Sequence, residues 1–319
     1  MNLIVTIDTE EDNWGHFSPS GHTVENVRRI PELQRLFDDF DVTPTYLVTY
    51  PVAVDETVSA VLRSILAEGR CEIGTHCHPW NTPPFEKSQD SSRDSMLCNL
   101  PPHLQYAKIR RLHETVQRTF GIQPVSFRCG RWAFCSDVAR HLVDVGYRID
   151  TSVTPYTDWT VDHGPDFSMV PPRPFRLCPD DMPRLPATRH LLEVPATVGF
   201  LQPNFTLRSS ILRAVRQRPL NRLHLAGLLY RLKVVTKVWL SPEISTTAQM
   251  IGLTKRLLRE NYSILNLTFH SPSLQAGLTP FVRSGSDQGR LIRRLRDYLT
   301  FARACRIAPI KLSDALDLV

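Results

Sequence analysis

Thr6-Ile7-Asp8-Thr9-Glu10-Glu11-Asp12, entered from the apolar run Leu3-Ile4-Val5, reads as a β-strand that ends abruptly in acid, with four carboxylates in five positions. Side chains alternate across a strand, so Asp8 and Glu10 at i and i+2 point to the same side and share one site, one as metal ligand and the other as base. The construction recurs further along the chain. Glu72-Ile73-Gly74-Thr75-His76-Cys77-His78-Pro79-Trp80 is a strand that ends in two imidazoles on one face, a pair suited to a divalent metal such as zinc. Phe127-Arg128-Cys129-Gly130-Arg131-Trp132 ends a strand in an arginine whose fork matches a carboxylate bidentately, holding it ionised and oriented. Leu265-Asn266-Leu267-Thr268-Phe269-His270-Ser271 ends in one imidazole, a candidate general acid. Taken singly, an acidic loop caps a helix and a lone histidine is a packing residue. Four apolar strands that each deliver a reactive side chain at the same end are not explained that way.

Those strands belong to a repeating pattern. Short β-rich runs near 2–8, 43–49, 71–76, 124–128, 147–150, 193–198, 263–269 and 307–311 alternate with helical periodicity near 23–40, 55–68, 104–120, 135–145, 244–260 and 286–306. Within 23–40, Pro31 either kinks the helix or marks a late start. Alternation of this kind predicts an irregular (β/α) barrel of about seven parallel strands. The Pro-rich stretch 155–192 reads as long loops. In such barrels the chemistry lies at the carboxyl ends of the strands, where the four motifs fall.

With 319 residues, 42% hydrophobic and 22% charged, the chain reads as one globular domain over 1–319. The start carries neither a basic n-region nor a cleavage site, and no apolar run is long enough for a membrane helix, so a cytoplasmic protein is expected. Seven cysteines at 71, 77, 98, 129, 135, 178 and 305 show no metal-site spacing, and Cys77 and Cys129 are read as packing residues. The net charge of +6 is unevenly placed. From Val194 to Leu240 there is no Asp or Glu, while Arg208, Arg213, Arg216, Arg218, Arg222, Arg231, Lys233 and Lys237 leave the rest of the chain at −2. Aromatics are sparse there and no recognition motif accompanies the charge. The basic insertion around 206–240 is therefore read as facing phosphate or a membrane surface, not nucleic acid.

In order and residue type these motifs resemble the polysaccharide deacetylase (NodB-homology, carbohydrate esterase) family: an acidic strand-one motif, a histidine motif, Arg with following aromatics, an Asp-Trp pair at Asp158-Trp159, and a late Leu267-Thr268-Phe269-His270. Pro44-Thr45-Tyr46-Leu47-Val48, His76-Cys77-His78-Pro79-Trp80, Asn99-Leu100-Pro101, Gly130-Arg131-Trp132 and His270-Ser271 look more closely like a branch associated with bacterial polysaccharide biosynthesis. The likeness spans about residues 3–316, except the basic stretch. It implies a NodB-like deformed TIM barrel and metal-dependent hydrolysis of an N-acetyl group on a sugar or glycan, polymeric or phosphate- or lipid-linked. Two departures stand out. The family's adjacent aspartates are here Asp8 and Thr9, so Glu10 substitutes or the two carboxylates exchange roles; its histidines stand at i and i+4, whereas Trp80 occupies the later place here.

The resemblance implies Glu10, His76 and His78 as ligands of a divalent ion, zinc being expected, with Asp8 as base, Arg128 holding it anionic, and His270 protonating the leaving amine. Asp150 or Asp158 is expected to orient His270, and Trp80, Trp132 and Trp159 to offer sugar-stacking surfaces. Two rival readings remain open: hydrolysis of a non-sugar amide such as a cyclic ureide on the same barrel, and a degenerate deacetylase kept as a carbohydrate-binding module.

Overall fold

Strand alternation sets the architecture. In the computed structural model, which describes residues 1–86, 92–177, 190–216 and 225–319, β1 (Asn2–Thr9) turns Leu3, Val5 and Ile7 outward into the main apolar core under the helices. Ile4, Thr6 and Asp8 point the other way. The same phase runs through β2 (Thr45–Val48), β3 (Glu72–Cys77), β4 (Ser126–Cys129) and β10 (Ile264–His270), whose Tyr46, Ile73, Phe127 and Leu267 also join the outer core. With β5 (Ile149–Asp150), β6 (Phe175–Leu177) and β7 (Leu191–Glu193) the sheet order is β10-β1-β2-β3-β4-β5-β7-β6. The seven strands from β10 to β7 are parallel and β6 is antiparallel. A short β11 (Ala308–Pro309) pairs with the start of β1.

The sheet curls towards closure. Past β7 the chain reaches β10, where Thr197 N donates to Asn266 O at 3.1 Å and Thr268 N donates to Leu240 O at 3.1 Å. The strand expected over 193–198 is accordingly two: β7 stops at Glu193 and β8 begins at Val198 (Val198–Phe200). Pro195, which has no N–H for a ladder, lies between them. β8 pairs antiparallel with β9 (Lys237–Trp239), and the chain between them carries two helices of the basic stretch, α6 (Phe205–Arg216) and α7 (Leu225–Arg231). Arg218 and Arg222 lie outside the described residues, as does Cys178.

The helices largely follow the expected periodicity: α1 (Ile30–Asp38), α2 (Tyr50–Val54), α3 (Glu56–Ala67), α4 (Pro102–Phe120), α5 (Ser136–Val145), α8 (Thr247–Arg259) and α9 (Gly285–Ala304). Pro31 marks a late start and not a kink, because a 3-10 turn over Glu25–Arg29 precedes α1 and proline suits a first helical turn. Capping boxes at Thr246/Gln249 and Ser284/Asp287 begin α8 and α9.

The barrel interior is layered. At the bottom, Ile4, Ile149, Leu192, Ile264 and Leu312 form a small separate apolar cluster. Above it sits a polar layer, with Thr6 Oγ1 donating to Asn266 Oδ1 at 2.9 Å and Asn266 Nδ2 donating to Thr151 Oγ1 at 2.9 Å. The carboxyl ends of the strands lie on top. Gly74 shows how tight this packing is, because a Cβ there would stand 2.4 Å from Ser126 Oγ and 2.6 Å from Leu47 Cδ2. We expect Gly74→Ala to destabilise by about 1–3 kcal/mol in denaturant unfolding, as overpacking does. Gly285→Ala, whose new methyl meets nothing within 4 Å, should be neutral or stabilising. Equal stability of the two variants would contradict this packing.

Candidate metal centre and active site

Register places the reactive residues side by side. Asp8 is the Cα partner of His270 across β1 and β10, and His76 is that of Arg128 across β3 and β4. All four belong to the inward-facing set. Arg128 is fully buried and uses all five of its N–H groups. Nη1 donates to Asp8 Oδ1 (2.5 Å) and Thr268 Oγ1 (2.9 Å), Nη2 to Thr6 Oγ1 (2.8 Å) and Thr151 Oγ1 (3.1 Å), and Nε to Thr151 O (3.0 Å). The expected bidentate fork on the carboxylate is therefore corrected to one bond, because the polar layer takes the other arms. Burial works against the Asp8 charge, but Arg128, with His76 and His270, outweighs it and holds the carboxyl down at about 2.

Glu10, His76 and His78 converge, their ligand atoms lying within 4.8 Å of one another. Glu10 Oε2 is 3.3 Å from each Nε2, and the two Nε2 atoms are 2.9 Å apart. The far side of each ring fixes the tautomer. His76 Nδ1 faces Arg128 O at 3.2 Å and His78 Nδ1 faces Glu11 Oε1 at 2.7 Å. Both partners only accept, so each Nδ1 carries a hydrogen and each Nε2 turns a lone pair inward. Two imidazole lone pairs and a carboxylate crowded together need a cation among them, and the N/N/O donor set fits a divalent metal. Without one, a proton serves: burial opposes charge on His78, yet Glu11 and Glu10 push its pKa up to about 10.

Glu11, quoted in the opening motif but given no role there, is the residue that orients His78. It is buried, also accepts from Trp80 Nε1 at 3.2 Å, and is held down at about 2 against burial by His78. Trp80 stacks on His78 with centroids 4.1 Å apart. Gly130 completes this packing, since a Cβ there would sit 2.4 Å from His78 Cδ2. Lys108 was also missed. Its buried ammonium donates to Pro79 O (2.8 Å), Thr82 O (2.6 Å) and Pro84 O (2.7 Å), tying down the loop behind His78. A lysine in the apolar stripe of Leu104, Lys108 and Leu112 was the available signal.

His270 is oriented by neither expected aspartate. Its Nδ1 donates to Glu243 Oε2 at 2.9 Å, Glu243 also accepts from Ser273 Oγ, and Nε2 lies 3.6 Å from Asp8 Oδ2. Burial opposes the His270 charge, and Glu243 overcomes it to raise the pKa to about 9. Asp150 is instead buried against Glu193 and accepts from Ser152, and Asp158 accepts from Thr160 at the rim. Glu243 follows the two-stranded excursion of β8 and β9, which no periodicity announces. The thiols of Cys77 and Cys129 are pushed up by burial, Cys77 to about 12, which suits packing residues and not nucleophiles.

These groups floor a cavity of about 700 Å³ lined by all five tryptophans of the chain: Trp14, Trp80, Trp132, Trp159 and Trp239. Trp239 lies 6.0 Å from Trp132 and 6.4 Å from Trp159, forming one wall. Trp14 and Phe281 flank His270. Of these aromatics, Trp14, Trp239 and Phe281 were not anticipated.

No protein-family model matches the chain, and no curated protein matches it in sequence. Solved structures do match along nearly the whole chain. The protein is similar to a 4-alpha-glucanotransferase from Thermococcus litoralis (TM-score 0.56, 13% identity, 99% of this chain and 40% of that one) and to the Puue allantoinase (0.52, 13%, 98% and 88%). It is also similar to a protein described as a polysaccharide deacetylase from Mycobacterium smegmatis (0.48, 16%, 98% and 93%). At such identities what is shared is the fold.

Zinc binding should release about one proton, the one His78 holds up to about 10, and the apparent affinity should rise about tenfold per pH unit below that value. Glu11→Gln should weaken binding about 10–100-fold. Calorimetry in buffers of different ionisation enthalpy reads both effects; binding without proton release would contradict the geometry. The chain has the curled, mostly parallel (β/α) barrel that its alternating strands and helices predict, a fold it shares with the glucanotransferase and the allantoinase.

Proposed function

We propose that the chain is a metal-dependent deacetylase that hydrolyses an N-acetyl group on a sugar or glycan in the making of a polysaccharide or glycoconjugate. One observation carries the reading: Glu10, His76 and His78 converge beside an Arg128-held Asp8 and a Glu243-held His270, at the floor of a tryptophan-lined cavity. Glu10, His76 and His78 would hold a divalent ion, zinc being the expected one, and it would supply Lewis acidity for water and for the acyl carbonyl.

Asp8 takes the proton of the attacking water. Held down at about 2, its carboxyl is ionised near neutrality and available to accept that proton. Arg128 occupies Oδ1 and leaves Oδ2 free towards His76 and His270. This division of labour assigns Asp8 as base and leaves Glu10 to the histidine pair. His270, kept protonated by Glu243, gives its proton to the departing nitrogen, without which an amide does not release an amine. The wall of Trp132, Trp159 and Trp239 offers apolar faces for a sugar ring, and Trp80 contributes mainly by fixing His78.

A second reading, hydrolysis of a non-sugar amide, draws on the fold shared with the allantoinase. The size and aromatic lining of the cavity favour the sugar. The deciding assay measures acetate release from N-acetylhexosamine glycans and nucleotide sugars, with a cyclic ureide as competitor substrate. Activity should vanish on chelation, return with a divalent metal, and fall about 10²–10⁴-fold in Asp8→Asn. Turnover surviving both chelation and Asp8→Asn would sink the proposal, and turnover of the ureide alone would favour the second reading.

A further inference from the structure

The structure carries a docking surface that the hydrolytic chemistry does not use. We propose that the face built by α6, α7 and the adjoining rim of the cavity seats on an anionic lipid bilayer, so that the cavity opens towards the membrane surface. The orientation of the cavity rests on the proposed function, whereas the docking does not.

Three observations meet on this face. The first is charge. The 47 residues from Val194 to Leu240 hold eight cations and no carboxylate. Among the described residues Arg208, Arg231 and Lys233 pair with no acid, while Arg213 stands 4.0 Å from Asp166 and Arg131 at the rim 4.0 Å from Asp162. The second is apolar exposure. Leu207, Leu228, Tyr230 and Leu232 on the insertion are 47–63% exposed. The insertion is held to its surroundings: Ser209 Oγ donates to Ser168 O, next in sequence to exposed Met169, and Gln249 Nε2 in the first turn of α8 donates to Tyr230 OH. With Val161 and Ile244 at the cavity, seven of the thirteen large hydrophobic residues exposed among the described residues lie on the insertion, beside its anchor at Ser168, or on the cavity lining.

The third observation is continuity with the site. Ile244 and Val161 are exposed and also line the cavity, so apolar surface continues into its mouth. Cations mixed with exposed aliphatic side chains are the composition that binds the boundary between anionic headgroups and acyl chains. Nucleic acid does not reward exposed leucines, and Tyr230 is the lone aromatic exposed on the insertion among the described residues. A second copy meeting this face with its own would bring like charges together. Among the described residues no helix is long and apolar enough to cross a membrane, so the contact is interfacial.

The test uses the full chain and vesicles of phosphatidylcholine with or without phosphatidylglycerol, read by co-sedimentation at low and high salt. Wild type should pellet with the anionic vesicles, fail to pellet with the neutral ones, and be released by salt. Leu228→Asp with Leu232→Asp should abolish pelleting, and Arg231→Glu or Lys233→Glu should weaken it about fivefold per charge removed, twice that step for each reversal on a logarithmic scale. Circular dichroism and zinc content should stay unchanged in all variants. No pelleting with anionic vesicles, or pelleting indifferent to both variant classes, overturns the proposal. So does self-association of the wild type that the leucine variants abolish, or DNA binding that matches vesicle binding and ignores the leucines. Acetate release from a soluble glycan is read separately, so a wild type that turns over but fails to pellet refutes the docking alone.

Discussion

The ion pair of Arg128 and Asp8 sits where the barrel interior changes from packing to chemistry. A buried guanidinium costs several kcal/mol of lost hydration and is tolerated only when every donor is matched. Here all five are, by Thr6, Thr151, Thr268 and Asp8. That demand explains the polar belt above Ile4 and Ile264, and why the fork is not replaceable by lysine, whose three donors span no such plane. Removing either partner strands a charge inside the barrel, at a cost of about 3–5 kcal/mol.

The pair also distributes roles among the carboxylates. Oδ1 of Asp8 is committed to Arg128, which leaves Glu10, one pleat further out on the same face, for the two imidazoles. Each imidazole is in turn fixed from behind, His76 by the carbonyl of Arg128 itself and His78 by Glu11. Arg128 thus reaches the candidate metal centre twice, through its side chain to the base and through its backbone to a ligand. The Glu243–His270 couple repeats the scheme of a carboxylate holding Nδ1 across the same opening.

Much of this was legible in the sequence because it depends on period two. Asp8, His76, Arg128 and His270 end apolar strands, and alternation in the barrel makes i and i+2 share a face, so their convergence follows from the motifs. What stayed hidden depends on irregular chain. Glu243 and Trp239 arrive from the two-stranded excursion after Pro195, which has no periodic signature, so the two aspartates nearest in motif order, Asp150 and Asp158, stood in for Glu243. Arg128 was expected to grip a carboxylate with both arms, because the acceptors that take its other N–H groups, Thr6, Thr151 and Thr268, come from β1, the end of β5 and β10, far apart in the sequence. Glu11 was visible, but its partner His78 lies 67 residues away.

The roles of Asp8, Glu10 and the two imidazoles turn on where a metal would sit. Anomalous diffraction at the zinc edge from zinc-loaded crystals tests it most directly. One peak is expected, coordinated by Nε2 of His76, Nε2 of His78 and a carboxylate oxygen of Glu10, with Asp8 still bonded to Arg128 and not to the metal. A peak ligated by Asp8 in place of Glu10, or no peak between the two imidazoles, would contradict it.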